Sequence, residues 1–461
     1  MQTTEFEATK KSGLAHKKIK WRNVSWLAIL LCMTAIVLVP SLYIPLTWLM
    51  VPFVGILFFY DDFYTLCGMF LFFEENLVLI PGLALFAVYS MLVIVKYFLF
   101  DKAEKKIPVL IIPAVCIMLM YAIFAMPTAD TTAARLTYIN SGRVPPSDAM
   151  INMRLIIGYI LDSAVIIILA LRISHDDKLK NQLCPVIVCS AVLSGIYGYV
   201  AGNIFNYGAE GNTIVRYMAS FNDPNYASFF FNFAIFIVLT NGMFKKLYVK
   251  IPLMIVLYYF LVASGSMSGL IFNILGIIIF TIFKYRVKMV LGLLIAAIIG
   301  GGVVFMIMKI PKLANLPVIV NLETRISRQF LDNEDINMSD ATSGRETQWE
   351  VYWDYFKRQE LENKLFGGNI IMSYSIDQNL KEKYGNPPHQ AYLSFILDFG
   401  LVGGVIMILF FVIKLINTFV VMCRTESSMN LLLFLIACMW LFYGMGFDYF
   451  GDWRFMIFYF L

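Results

Sequence analysis

Charge is scarce in this chain. Asp, Glu, Lys and Arg make up 15% of its 461 residues, against 60% hydrophobic residues. Soluble domains carry roughly a quarter charged residues and about half apolar ones. A chain this poor in charge has too little polar surface to face water. Histidine is scarcer still, with three copies, and no HExxH or similar spacing occurs, which argues against a metal centre. The seven cysteines (Cys32, Cys67, Cys116, Cys184, Cys189, Cys423 and Cys438) all fall in or beside apolar stretches, and no CxxC pair is present. Neither a disulfide framework nor a thiolate metal site is indicated. The net charge of +5 is spread over many loops, so it gives no nucleic-acid signal; its useful content is topology. No small-residue cleavage site follows the basic N-terminus, and residues 1–25 read as a cytoplasmic tail. The absence of a visible internal repeat argues weakly against an inverted-repeat transporter.

What the chain has is apolar length. Its mean hydropathy is +0.74, and the apolar residues come in continuous blocks of about 15 to 24, enough to cross a hydrocarbon core of roughly 30 Å. Continuous blocks favour helices over a barrel, whose strands alternate. The expected fold is all-α and polytopic, with about 12 to 14 spans. The blocks at 63–74 and 449–461 are short enough to be re-entrant.

The basic residues set the register. Lys10, Lys11, Lys17, Lys18, Lys20 and Arg22 precede the first block and place the N-terminus inside. Lys102, Lys105 and Lys106, then Lys178 and Lys180, then Lys245, Lys246 and Lys250, then Lys284, Arg286 and Lys288, and finally Lys414 and Arg424 fall on the same side. The membrane helices of 26–308 then have outer loops at 127–150 and 202–224. A large extracytoplasmic loop follows at 309–392, and C-terminal membrane helices occupy 393–461. Within the large loop, Gln348 to Leu365 reads as an amphipathic helix with Trp349, Tyr352, Trp353, Phe356 and Leu361 on one stripe. Ser343 to Glu346 fits a capping box before it, and Gly367–Gly368 ends it. This loop is expected to fold as a lid.

Three outer-face segments carry chemistry. In the first, Asp223 caps and Pro224 opens a membrane helix whose N-terminus faces out. Arg216 lies just upstream and Asn225 follows. Helix dipole and free N–H groups suit an anion there; a loop arginine beside a capped helix is the bland alternative. In the second, Arg345 sits in the first turn of the lid helix, where a cation opposes the dipole. A bound anion explains it, and so does pairing with Glu346 or Glu350. In the third, Pro387 and Pro388 set His389 in the first turn of a membrane helix, followed by Gln390, Tyr392, Asp398, Gly400 and Gly403. Nearness to a helix N-terminus and partial desolvation favour the neutral imidazole, which suits a general base. Asp398, nine residues on, is about half a turn out of phase with His389, so it reads as a supporting residue. Ser264–Gly269 breaks two apolar blocks at the outer side and is the weaker candidate. Two arginines and a neutral histidine suit a bound diphosphate and an acceptor hydroxyl.

These motifs resemble those of the O-antigen polymerase and O-antigen ligase superfamily. The third segment matches its His, amide, Tyr-Leu, acid, Gly, Gly pattern, with Gln390 and Asp398 where the family usually has Asn and Glu. The second matches Ser-Gly-Arg…Trp with a later Phe-Gly-Gly at 366–368, and the first matches Arg…Phe…Asn-Pro-Asn, with Asp-Pro-Asn here. One departure is that relatives often carry a Ser-Arg pair after the span near 263, whereas Ser264–Gly269 contains no arginine. The resemblance implies a membrane glycosyltransferase of the GT-C-like type in the bacterial inner membrane, with an extracytoplasmic site and no metal or other cofactor. Its substrates would be polyprenyl-diphosphate-linked glycans as donor and acceptor. Its surroundings would be the lipid bilayer and other polysaccharide assembly proteins, with no nucleic acid. His389 would be the base, and Arg216 and Arg345 the diphosphate ligands. Asn225, Gln390, Tyr392 and Asp398 would support them. A repeat-unit polymerase is the leading reading. A ligase that moves the glycan to a lipid or protein is one alternative, and a flippase for lipid-linked sugars is another.

Overall fold

The structure, a computed structural model, describes residues 21–80, 83–101, 112, 115–116, 147–207, 214–285, 319–320, 345–367, 390–425, 427–445 and 453–460. The apolar blocks at 107–126 and 289–308 fall almost wholly outside the described residues. Among those described, six helices are long and apolar enough to cross a membrane. They are α1 (Trp21–Leu38), α2 (Tyr43–Leu57, extended by a turn from Pro40), α5 (Asp148–His175), α6 (Asp177–Val200), α9 (Met267–Tyr285) and α12 (Ala391–Arg424). Four shorter apolar helices join them: α4 (Leu85–Val95, running on to Phe100), α7 (Pro224–Thr240), α8 (Leu247–Ala263) and α13 (Ser428–Gly444). The chain is therefore a polytopic, mainly helical membrane protein.

The block at 63–74 does not span. It forms a 3-10 turn, the four-residue α3 (Cys67–Phe70) and a second 3-10 turn, and most of it is buried in the bundle. The C-terminal α14 (Met456–Phe460) is also too short to cross. Two small antiparallel hairpins interrupt the helices: β1 (Val78–Ile80) with β2 (Leu83–Ala84), and β3 (Ile204–Tyr207) with β4 (Ile214–Tyr217). The second lies in the outer loop 202–224, which sequence reading leaves without structure.

Helix α7 is the hub. Its sequence is apolar all round, which marks a helix enclosed by others. Phe229, Phe230, Phe231 and Phe233 are all buried. It packs on α6, α8, α9 and α13. Phe233 stacks on Phe458 of α14 at 3.9 Å, and Phe229 meets Trp440 and Tyr443 of α13 edge-on or tilted. Lipid is as apolar as these rings, so close packing rather than water exclusion holds them together. Aspartate 223 and Pro224 start α7, Asp176 caps α6, and Ser427 caps α13.

Buried charges at the other end of the bundle are paired. Asp62 accepts from the Arg22 guanidinium and from Trp26 Nε1 at 3.0 Å. Arg172 does not simply reach outward from its span end. It lies 3.7 Å from Asp101 and over the Tyr64 ring. Asp162 finds Ser90 on α4 at 3.4 Å, with Glu74 and Arg454 as neighbouring charges.

Candidate active site

The first segment forms a buried pocket. The β3–β4 register pairs Arg216 with Phe205, and Arg216 and Asn225 are only 9% and 8% exposed. Arg216 Nε donates to the Ser264 carbonyl at 3.1 Å, and its Nη2 donates to Asn225 Oδ1 at 3.0 Å. Ser266 Oγ donates to the same Asn225 oxygen at 2.9 Å. A guanidinium can only donate, so the Asn225 atom facing it is the amide oxygen, and the NH2 group points the other way. Four turns distant in sequence thus become one cluster at one end of the bundle: the end of β4, the start of α7 and the turn between α8 and α9.

That turn is what sequence reading undervalued. Ser264, Ser266 and Ser268 sit between two apolar helices, and each is hydrogen-bonded there. Three hydroxyls in five residues, where the chain turns at the outer end, were the available signal. The structure also bears on the missing arginine. A side chain at Gly265 would come within 3.2 Å of Arg216 Cγ, so a second cation there would crowd the first.

One expectation changes. The α7 N-terminus is not open to an anion. Pro224 has no N–H, and the Asn225 N–H already donates to the Asp223 carboxylate at 2.6 Å. A carboxylate at that position disfavours a second anion on the helix end. Anion binding therefore falls to side chains, Arg216 foremost.

Beneath the pocket runs a polar chain through four membrane helices. Asn232 of α7 donates to the Gly269 carbonyl at 2.9 Å and to the Tyr443 hydroxyl at 2.8 Å. Its own oxygen accepts from Asn273 of α9 at 2.7 Å, and Asn273 in turn accepts from Tyr258 of α8 at 2.9 Å. These bonds fix the start of α9, and with it the serine turn that holds Arg216.

The second segment folds as two helices rather than one. α10 (Arg345–Arg358) is followed, after a break at Gln359–Glu360, by α11 (Leu361–Phe366), which ends on Gly367. The aromatic stripe docks as expected. Tyr352 and Phe356 pack on Leu393 and Leu397 of α12, with Trp349 and Tyr355 alongside. Burial pushes the Tyr352 phenol up. Arg345 opens α10, but its side chain lies outside the described residues.

The third segment is where the fold departs most from sequence. His389 lies outside the described residues. Gln390 is the N-cap of α12 in extended conformation, and the Tyr392 hydroxyl donates to the Leu441 carbonyl of α13. α12 is not one straight span. Gly400 adopts φ 68° and ψ −178°, which no helix allows. Residues 391–399 then turn back on the rest. A Cβ added to Gly404 would stand 2.9 Å from Ile396 Cα, whereas eight residues of straight helix separate by about 12 Å. Phe395 and Phe411 stack at 6.3 Å and 2°, where a straight helix would part them by about 24 Å. Asp398 therefore sits beside an elbow rather than inside a continuous span.

Residues 252–408 match the family model described as O-antigen ligase. No curated protein and no solved structure matches the chain. The matched region holds the serine turn, Arg345, the lid helices, His389, Gln390, Tyr392, Asp398 and the elbow. Arg216 and Asn225 lie before it, yet the fold brings them against Ser264 and Ser266 inside it. The chain thus carries an O-antigen ligase domain and belongs, on that match, to the O-antigen ligase and polymerase superfamily of membrane proteins.

Proposed function

We propose that this protein is a polymerase that joins polyprenyl-diphosphate-linked oligosaccharide repeat units at the outer face of the bacterial inner membrane. The observation that carries the reading is the buried Arg216 guanidinium. Asn225 and Ser264 hold it in place at the bundle end that the basic loops assign to the outside. A buried, oriented cation in a membrane protein is costly unless a function retains it.

In the proposed reaction, the acceptor hydroxyl oxygen attacks the anomeric carbon of the donor. The new C–O bond forms as the bond from that carbon to the diphosphate breaks. The leaving group is the polyprenyl diphosphate, whose growing charge Arg216 and Arg345 stabilise. His389 takes the hydroxyl proton. Asn225 orients Arg216, while Gln390, Tyr392 and Asp398 support the arm that follows His389. No step in this scheme calls on a metal or other cofactor.

The test is a gel of surface glycans and of the lipid-linked pool from cells lacking the protein. Single repeat units at the surface with the long ladder gone support the polymerase. Full-length polymer left on the lipid carrier indicates a ligase instead. Units held on the inner face mean a flippase and contradict the enzyme reading. In the same cells, His389→Ala that reaches the membrane but supports normal ladders removes His389 from the base role.

A further inference from the structure

The lid and the elbow meet backbone to backbone. Gly367, which ends α11, has φ 79°, and Gly400, at the elbow, has φ 68°. Both values lie where only glycine sits without strain. The two residues also face each other. A Cβ on Gly367 would overlap the Asp398 carbonyl oxygen, and one on Gly400 would stand 2.5 Å from the Leu365 carbonyl carbon and overlap the Gly367 nitrogen. No side chain fits at either place while the contact holds. The arm from Gln390 to Phe399 is held at three further points: the Tyr352 and Phe356 contact with Leu393 and Leu397, the Phe395–Phe411 stack, and the Tyr392 bond to Leu441.

We infer that Gly367 and Gly400 are positioning residues: their contact clamps the lid onto the elbow and so fixes the arm whose first residues follow His389. The inference rests on the proposed function for what the arm positions. The clamp itself is independent of it. The pocket around Arg216 lies on other elements, so breaking the clamp is expected to spare donor binding and to slow the chemical step.

The experiment uses full-length protein in membranes with a lipid-linked repeat unit isolated from cells that lack the protein. Gly367→Ala and Gly400→Ala are compared with Gly55→Ala, a helical position with open space around it. Each clamp variant is expected to lose about 10- to 100-fold in kcat, as small displacements of reacting groups do, with donor KM within about threefold of wild type. Gly55→Ala keeps wild-type kinetics. A kcat unchanged in both variants, or a loss confined to KM, overturns the positioning role. If Gly400→Ala fails to reach the membrane, Phe356→Ala probes the same contact more gently, and an unaltered kcat there also counts against it.

A second readout needs no substrate. Trypsin added from the outer side should cut after Lys364 of α11 faster in both glycine variants than in wild type. Equal rates overturn the clamp. If wild type itself extends no chain, the polymerase reading fails while the cleavage rates still decide the clamp.

Discussion

The Arg216 pocket and the lid elbow are built by opposite means. In the pocket, side chains hold side chains. Arg216, Asn225, Ser264 and Ser266 share three hydrogen bonds of 2.9 to 3.1 Å, anchored below by Asn232, Asn273 and Tyr258. At the elbow, backbone meets backbone through Gly367 and Gly400, and side chains only pad the contact. The pocket is a fixed polar socket in the bundle. The elbow joins a segment outside the bundle to the helix that enters it. A reaction between a bound diphosphate and an incoming acceptor suits that division. One half holds the leaving group still, and the other half carries the base on an arm tied to the lid.

Breaking the pocket should do the most damage. Arg216→Ala removes a charged donor whose hydrogen bonds are worth about 1.5–3 kcal/mol each, and chain extension in membranes should fall by about 100-fold or more. Arg216→Lys should not restore it, because an ammonium cannot span Ser264 and Asn225 as the fork does. A lysine variant with wild-type extension would mean that the pocket needs only a point charge. Asn225→Ala comes next. It leaves both Arg216 Nη2 and Ser266 Oγ without their shared acceptor, and donor KM should rise by about tenfold, since each unmet buried bond costs about 1–3 kcal/mol.

Asn232→Leu tests whether the pocket depends on the chain of bonds beneath it. Polar contacts between membrane helices are worth about 0.5–2 kcal/mol, so thermal unfolding in detergent should shift downward by that amount, with a smaller loss of extension than at Asn225. An unchanged melting profile would detach the network from the pocket. The smallest effect concerns the lid. Burial raises the Tyr352 phenol, so the undocked or unfolded phenol ionises first. The docked lid is then stabilised below pH of about 10 and loosens as pH rises past it. Trypsin cleavage after Lys364 should quicken over that range in wild type and do so less in Tyr352→Phe.

The two regions also differ in how far sequence reveals them. Arg216 and Asn225 stand out because polar residues at the start of an apolar helix are few, and their pairing follows once both lie at one end of the bundle. The alternation of basic loops likewise puts the ends of α7, α8 and α12 together. The lid stripe of Tyr352 and Phe356 is legible as amphipathic spacing, although the break at Gln359–Glu360 is not. The elbow stays hidden. Glycines within an apolar run, such as Gly400, Gly403 and Gly404, read as small residues for close helix packing. Whether one of them takes a positive φ depends on what stands opposite, and Gly367 lies 33 positions away. The serine turn is an intermediate case: its hydroxyls are visible in sequence, but their partners, Arg216 and Asn225, come from other elements.

The most direct test of the whole account is extension by the purified protein in lipid vesicles, supplied only with lipid-linked repeat units. The account predicts a ladder of multiples on the lipid carrier, with one polyprenyl diphosphate released for each unit added, and no ladder from Arg216→Ala. Release of the carrier without any ladder, or a ladder that survives Arg216→Ala, would contradict it.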